Sequence, residues 1–281
     1  MRAVVITTPG GPEVMRLIEV PDPAPGPEEI LVRVAHTAVN RADIVQRQGH
    51  YPDPVRRDHD IPGLEYAGTV AAVGERVTRW SVGDLVMGIE TGACYAELVV
   101  THERQALRIP DGLDLADAAA VPEVFITAWD ALVVQGGLTS GRWALVHAGA
   151  SGVGTAAIQI AKAIGARIAV TCSRPKMDAC RQAVRPGGSI VQVGVMGGAT
   201  TSVRVGVLLV KRVRWIGTTL RSRPIEDKIA LSQRFTREIL PRFDSGELRP
   251  VIDTRFPIAD VAAAHRHIES NTTIGKVLLD L

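Results

Sequence analysis

The chain has 281 residues, 46% hydrophobic, 22% charged and 4% aromatic, and its 32 basic against 30 acidic residues leave a formal charge of +2. This composition supports a buried core and excludes a mainly disordered chain, while the near balance of charge argues against an electrostatic binder of nucleic acid or of a membrane surface. Small anionic ligands remain open, because they need only a local positive site, and the length predicts two domains.

Residues 1–8 form a short β-branched run with one arginine and no long apolar stretch, which predicts a first strand and not a signal peptide. To about Pro110 short β-type runs at 3–6, 30–35, 67–73, 84–88 and 95–100 alternate with Pro/Gly turns, as in a compact, mostly β domain. Pro21, Pro23, Pro25 and Pro27 predict an extended surface connector, since each fixes φ and pushes its neighbour toward extended geometry. Near Asp114 the texture becomes Ala-rich and helical, at 115–120 and 125–134, before a turn at Gly136 and Gly137. Trp143–His147 then predicts a short buried strand, 155–164 a helix and Arg167–Thr171 a second strand, a β-turn-α-β order. Two further apolar runs, 189–193 and 213–218, predict buried parallel strands. From Leu248 β character returns, with a helix at 258–269 and a last strand at 276–279.

Cys94, Cys172 and Cys180 have no paired spacing, so neither a disulfide framework nor a zinc knuckle is expected. No stretch approaches the ~20 apolar residues of a membrane helix. A soluble protein of the reducing cytoplasm is the expectation.

The strongest local signal is Ala148-Gly149-Ala150-Ser151-Gly152-Val153-Gly154, which follows a strand and opens a helix. In that context glycines let the backbone approach a pyrophosphate, whose charge meets free N–H groups and the helix dipole, so a dinucleotide site is expected. The alternative is a glycine turn that only packs helix on strand. Enzymes that use NAD place an acidic residue at the end of the second strand; this chain has Thr171-Cys172-Ser173-Arg174-Pro175-Lys176. With Ser173, Arg174 and Lys176 available to a 2′-phosphate, NADPH is the expected cofactor, unless Arg174 and Lys176 are solvated charges at a helix start.

Several runs together resemble one family. They are Pro9-Gly10-Gly11-Pro12-Glu13, Asn40-Arg41-Ala42-Asp43, Gln46-Arg47-Gln48-Gly49-His50-Tyr51, Gly63-Leu64-Glu65-Tyr66-Ala67-Gly68 and Ala119-Ala120-Val121-Pro122-Glu123. The glycine loop, Gly194-Val195-Met196-Gly197-Gly198, Leu220-Arg221-Ser222-Arg223 and Ile274-Gly275-Lys276-Val277 continue the series. The chain resembles the zeta-crystallin-like quinone oxidoreductases of the medium-chain dehydrogenase/reductase superfamily, nearest the p53-inducible subgroup. The resemblance implies an α/β protein: a GroES-like catalytic β domain at 1–122, a Rossmann doubly wound parallel sheet binding NADPH at 123–245, and a segment at 246–281 that returns to the first domain. It implies a homodimer and, as partner, a small quinone or conjugated carbonyl. It places Asn40, Asp43 and Tyr51 at the substrate, and Thr127, Gly149, Ser151, Gly152, Val153, Gly154, Ser173, Arg174 and Lys176 on the cofactor. Val195 falls near the nicotinamide, with Leu220, Arg221, Ser222 and Lys276 closing the site. Asn40 and Tyr51 can hydrogen-bond a carbonyl oxygen as it gains charge; Asn40 to Asp43 can equally be a helix N-cap and first turn.

Zinc-dependent relatives place a cysteine and a histidine where this chain has Asn40 and Leu64, and the seven histidines share no metal-binding spacing, so no zinc is expected. One departure stands out. Lys176-Met177-Asp178-Ala179-Cys180 runs almost at once into Arg181-Gln182-Ala183-Val184-Arg185-Pro186-Gly187-Gly188, as though on the order of fifty residues, somewhat under two βαβ units, were missing at Cys180–Arg181. In the order 3-2-1-4-5-6 the missing fourth strand lies beside the first, and with it goes a tyrosine that helps hold the 2′-phosphate in the family. The first strand is then expected to be an unpaired edge. Reduction of an enone or alkenal double bond, and an inactive NADPH- or RNA-binding relative, are the alternative functions.

Overall fold

Eleven residues of β-branched and alternating character, Glu29–Val39, form the long strand around which the first half of the molecule is built. In the computed structural model, which describes residues 1–171, 185–195, 198–200, 202–203 and 205–281, the elements of this half are β1 (Arg2–Ile6), β2 (Met15–Glu19), β3 (Glu29–Val39), α1 (Arg41–Arg47), β4 (Glu65–Val73), β5 (Leu85–Ile89), β6 (Leu98–His102) and β7 (Leu107–Arg108). Strand β3 pairs antiparallel with β4, and along its first half with β6 as well. The alternating inward residues Ile30, Val32 and Val34 are buried against Tyr66, Val70, Val86 and Val99.

The end of the chain completes this sheet. Strands β12 (Ile252–Pro257) and β13 (Lys276–Asp280) continue it in the order β12-β13-β3-β4-β5-β7, with Val277 opposite Val39. That register carries Lys276 to the foot of β3, beside Asn40, and the positioning of the site follows from it.

The second half begins with the short helices α2 (Leu115–Ala118) and α3 (Pro122–Trp129), the latter running on as a π-helical turn over Asp130–Gln135. Then come β8 (Trp143–His147), α4 (Gly152–Ala163), β9 (Arg167–Thr171), β10 (Ser189–Gln192), α5 (Val205–Lys211), β11 (Arg214–Gly217), α6 (Ile225–Glu238) and α7 (Pro241–Asp244), and after β12 the helix α8 (Val261–Glu269). Helix α4 packs on α3 and buries Ala156, Ala157 and Ile160 within the largest core cluster, together with Phe125, Trp129, Phe235 and Phe243. Helix α6 carries too thin an apolar stripe to be predicted: its buried positions are Ile229, Leu231, Ser232 and Phe235.

Parallel pairing is present as expected, with β8 on β9 and β10 on β11. Among the described residues, however, β8 pairs with no other strand and β10 only with β11. In the order 3-2-1-4-5-6 these are the pairs 2-1 and 5-6, with nothing described between 1 and 5. The expectation that these strands are buried is therefore corrected. Trp143 is 63% exposed and Val170 40%, and Leu145 and Val193 are also open. Parallel strands are normally covered on both faces by the helices that connect them; here the face of β8 that carries Trp143 and Leu145 stays open. The junction at Cys180–Arg181, Cys172, and the 2′-phosphate candidates Ser173, Arg174 and Lys176 lie outside the described residues. No described helix is long and apolar enough to cross a membrane.

Candidate active site

The glycine loop leaves β8 through Ala148, which has φ +56°, a left-handed backbone that non-glycine residues rarely adopt. Such strain collects at functional turns. Ser151 then caps α4: its N–H and Oγ both donate to Ala148 O (2.9 and 2.8 Å), and its Oγ accepts from Gly154 N (3.1 Å). Helix geometry leaves the first-turn N–H groups at Gly152 and Val153 without intrahelical acceptors, aimed out of the mouth with the positive end of the dipole. Ala148 and Ser151 are exposed, so the mouth is open to a ligand. On α3, which packs on α4, Thr127 Oγ1 is buried with the Glu123 carboxyl one turn before it as its polar neighbour. These residues fit a dinucleotide.

The loop is tied to the seven-stranded sheet at Gly275, whose N–H donates to Ala150 O (2.9 Å) and whose φ of +88° and contact with Val251 O leave no room for a side chain. The next residue, Lys276, runs its stem beside Gly152, where an added Cβ would lie 2.8 Å from Lys276 Cδ. Its ammonium is buried at the other end. Nζ donates to Asn40 Oδ1 (2.5 Å), Glu65 Oε1 (2.7 Å) and Val39 O (3.3 Å). Asn40 Nδ2 donates to Glu65 Oε1 (2.9 Å) and Ala38 O (3.3 Å), and Glu65 Oε2 accepts Glu123 N (2.9 Å).

Asp43, fully buried one turn into α1, accepts from Asn40 N (2.7 Å), Tyr95 Oη (3.1 Å) and Gly63 N (3.2 Å). The expected cap is thus present as a capping box between Asn40 and Asp43, while the Asn40 amide nitrogen also turns into the lysine cluster. Behind Tyr95 the network continues to His265 Nε2 (3.3 Å) and from His265 Nδ1 to Arg47 (3.2 Å). An arginine can only donate, so Nδ1 accepts and Nε2 carries the proton toward Tyr95. Burial, and secondarily the Arg47 charge, push His265 down to about 3 and keep it neutral.

Burial also raises the acids of this cluster. Asp43 moves to about 6, mainly by desolvation, and half-buried Glu123 to about 7, by desolvation first and then by the Glu65 carboxylate, with Lys276 opposing. For Glu123 the folded value lies above the unfolded 4.5, so the native state holds a proton that the unfolded chain releases. The stability this group contributes is complete below about 4.5 and is lost as pH rises through about 7. Glu123→Gln is therefore expected to lose less melting temperature than the wild type between pH 5 and 8; parallel curves would refute the assignment.

A second constellation lies at Tyr51. Tyr51 Oη meets Thr219 Oγ1 (3.1 Å), and the guanidinium of buried Arg221 lies 4.8 Å from the Tyr51 ring centre. The sequence-derived site residues thus fall into groups. Asn40, Asp43 and Lys276 share one cluster, into which Lys276 brings Gly152 and the rest of the loop. Tyr51 and Arg221 share another, next to Leu220 and exposed Ser222. Val195 is 59% exposed and joins neither group in the contacts described. Glu65, Glu123, Gln46, Thr219 and His265 were not singled out in sequence. The only available signal was a carboxylate inside the apolar runs Gly63–Gly68 and Ala119–Glu123.

Comparison with known proteins assigns each group's members to two matched regions. Residues 26–111 match the alcohol dehydrogenase GroES-like domain family, and residues 159–279 the zinc-binding dehydrogenase family. A quinone oxidoreductase of Pseudomonas aeruginosa is 31% identical over 324 positions, covering 96% of each chain. The chain belongs to the quinone oxidoreductase group of the medium-chain dehydrogenase/reductase superfamily. The quinone oxidoreductase of Lama guanicoe is 28% identical over 327 positions, covering 99% of this chain and 97% of its own. The crystal structure of the Pseudomonas syringae quinone oxidoreductase superposes with a TM-score of 0.88 at 27% identity, over 100% of this chain and 99% of that one. Both alignments are longer than the 281 residues of this family member. The relatives therefore hold positions that have no counterpart here, as the abrupt junction at Cys180–Arg181 leads one to expect.

The name of the second matched family raises the question of zinc. Among the described residues no group of three His, Cys, Asp or Glu side chains is placed to hold a metal ion. At Asn40 and Leu64 the donors do not fit one: Leu64 is apolar and buried, and Asn40 Oδ1 is already held by the Lys276 ammonium.

Proposed function

We propose that the chain is a zinc-independent oxidoreductase that passes hydride from NADPH to a quinone. The observation that carries the reading is the span of Lys276, whose stem lies on the glycine loop at Gly152 and whose ammonium holds Asn40. The glycine loop and the buried cluster at Asn40 are thereby one lysine side chain apart. NADPH, when bound, supplies the hydride. The first turn of α4 holds the diphosphate, Thr127 offers its hydroxyl to the cofactor, and Ser173, Arg174 and Lys176 are the groups for a 2′-phosphate.

On the substrate side, the Asn40 amide is spent inside the cluster, so the donor left for a carbonyl oxygen gaining negative charge is the Tyr51 hydroxyl. Asn40 and Asp43 act behind it as a rigid buried floor that excludes water and keeps the reacting carbonyl oriented. In a protein saturated with NADPH, an ortho-quinone is expected to be turned over faster than an enone, and Tyr51→Phe to lower kcat/KM about a hundredfold. Faster enone turnover would assign the chain to double-bond reduction instead. No NADPH oxidation with any small quinone by folded, cofactor-saturated protein would refute the proposal.

A further inference from the structure

We propose that Arg221 is the positioning residue of Tyr51: it fixes the aromatic wall of the cleft from the segment that follows β11, and contributes no contact to the cofactor. This rests on the reading that Tyr51 faces the substrate. Each nitrogen of the guanidinium is engaged by the catalytic half of the molecule, Nε on Thr91 O (2.5 Å), one terminal nitrogen on Tyr51 O (2.8 Å) and the other on Gln46 Oε1 (2.7 Å). The nearest carboxylate, Asp53, is 4.0 Å away and is itself bound by Arg57. A buried cation with neutral acceptors is costly unless its surroundings are shaped for it. The ring of Tyr51 completes the compensation, with the guanidinium 4.8 Å from its centre.

The tyrosine is therefore gripped at its carbonyl and ring face by Arg221 and at its hydroxyl by Thr219. Its own loop offers little else, since residues 48–64 form no helix or strand. The gripping segment is anchored in turn. Arg223 binds buried Asp130 (2.6 Å) and Thr218 Oγ1 (2.6 Å), and Thr218 Oγ1 also donates to Asp130 (3.1 Å). Asp130 directly follows α3, the helix that carries Thr127. Tyr51 thus takes its position from the nucleotide-binding half. Lysine cannot replace Arg221, because a point charge lacks the planar fork that reaches these acceptors while lying on a ring.

Tyrosine nitration tests this without cofactor. Of the chain's three tyrosines, Tyr66 and Tyr95 are 0% exposed, so Tyr51 is the reactive one. In Arg221→Met, nitration of Tyr51 is expected to quicken roughly tenfold, as the loss of a charge-assisted hydrogen bond allows, and Arg221→Lys is expected to behave alike while keeping the charge. With NADPH and quinone, Arg221→Met should raise KM for the quinone and leave the NADPH Kd unchanged. Its loss of kcat/KM should vanish in a Tyr51→Ala background. Unchanged nitration in both variants would overturn the proposal, as would a weakened NADPH Kd or a loss that adds to that of Tyr51→Ala. If the wild type turns over no quinone, the proposed function fails, but nitration still decides the role of Arg221. Should Arg221→Met not fold, Arg221→Lys carries the same comparison.

Discussion

Lys276→Met is expected to melt about 10 °C below the wild type, because breaking a buried ion pair costs roughly 3–5 kcal/mol and each kcal/mol moves a chain of this size by about 2–4 °C. The ammonium is 2.7 Å from Glu65 Oε1, with side-chain exposures of 4% and 0%. Removing it leaves the Glu65 carboxylate with only the neutral donors Asn40 Nδ2 and Glu123 N, and with the Glu123 carboxyl as a neighbour. The methionine keeps the apolar stem beside Gly152, so the loss is of charge and not of packing. Adding Glu65→Gln removes the orphaned charge and should restore most of the melting temperature, since a pair removed whole is far less costly than a pair broken. A single mutant that melts with the wild type would mean that the cluster does not hold the C-terminal strand to the foot of β3.

The second large effect is expected at the glycine loop. A Cβ at Gly154 would lie 2.3 Å from Ala148 O and 2.7 Å from Gly149 C, both backbone, so the loop itself must move. Gly154→Ala should therefore lose roughly 1–3 kcal/mol of stability, and its NADPH affinity should fall about a hundredfold as the first-turn N–H groups leave their places. Gly206→Ala is the internal control: a Cβ there meets nothing within 4 Å and sits in a helix, so neither affinity nor stability should fall. Equal NADPH affinity in Gly154→Ala and wild type would show that the diphosphate does not bind at this turn.

What was legible in sequence was local. The strand, glycine turn and helix from Trp143 to Ala163 could be read because each residue there acts on its near neighbours: apolar run, left-handed or glycine turn, serine cap, alanine face. The cluster at Asn40 could not be built this way. Lys276 is 236 residues from Asn40 and 211 from Glu65, and only the pairing of β13 with β3 brings them together. Tyr51 and Arg221 are likewise 170 residues apart. Burial failed for a related reason. Trp143, Leu145 and Val170 have the apolarity of strands meant to be covered, but apolarity states only what a face prefers, and covering it requires another element packed on that face. The exposure of β8 is the structural counterpart of the abrupt sequence after Lys176. Edges of this kind also invite association with other strands.

Calorimetric titration of the 281-residue chain with NADPH tests the central claim most directly, because it asks whether the mouth at Gly154 holds a dinucleotide with β9 as the one described strand beside β8. The expected result is saturable binding of one NADPH per chain, weakened about a hundredfold in Gly154→Ala and kept in Gly206→Ala. A wild-type protein that unfolds cooperatively yet shows no binding would contradict the account.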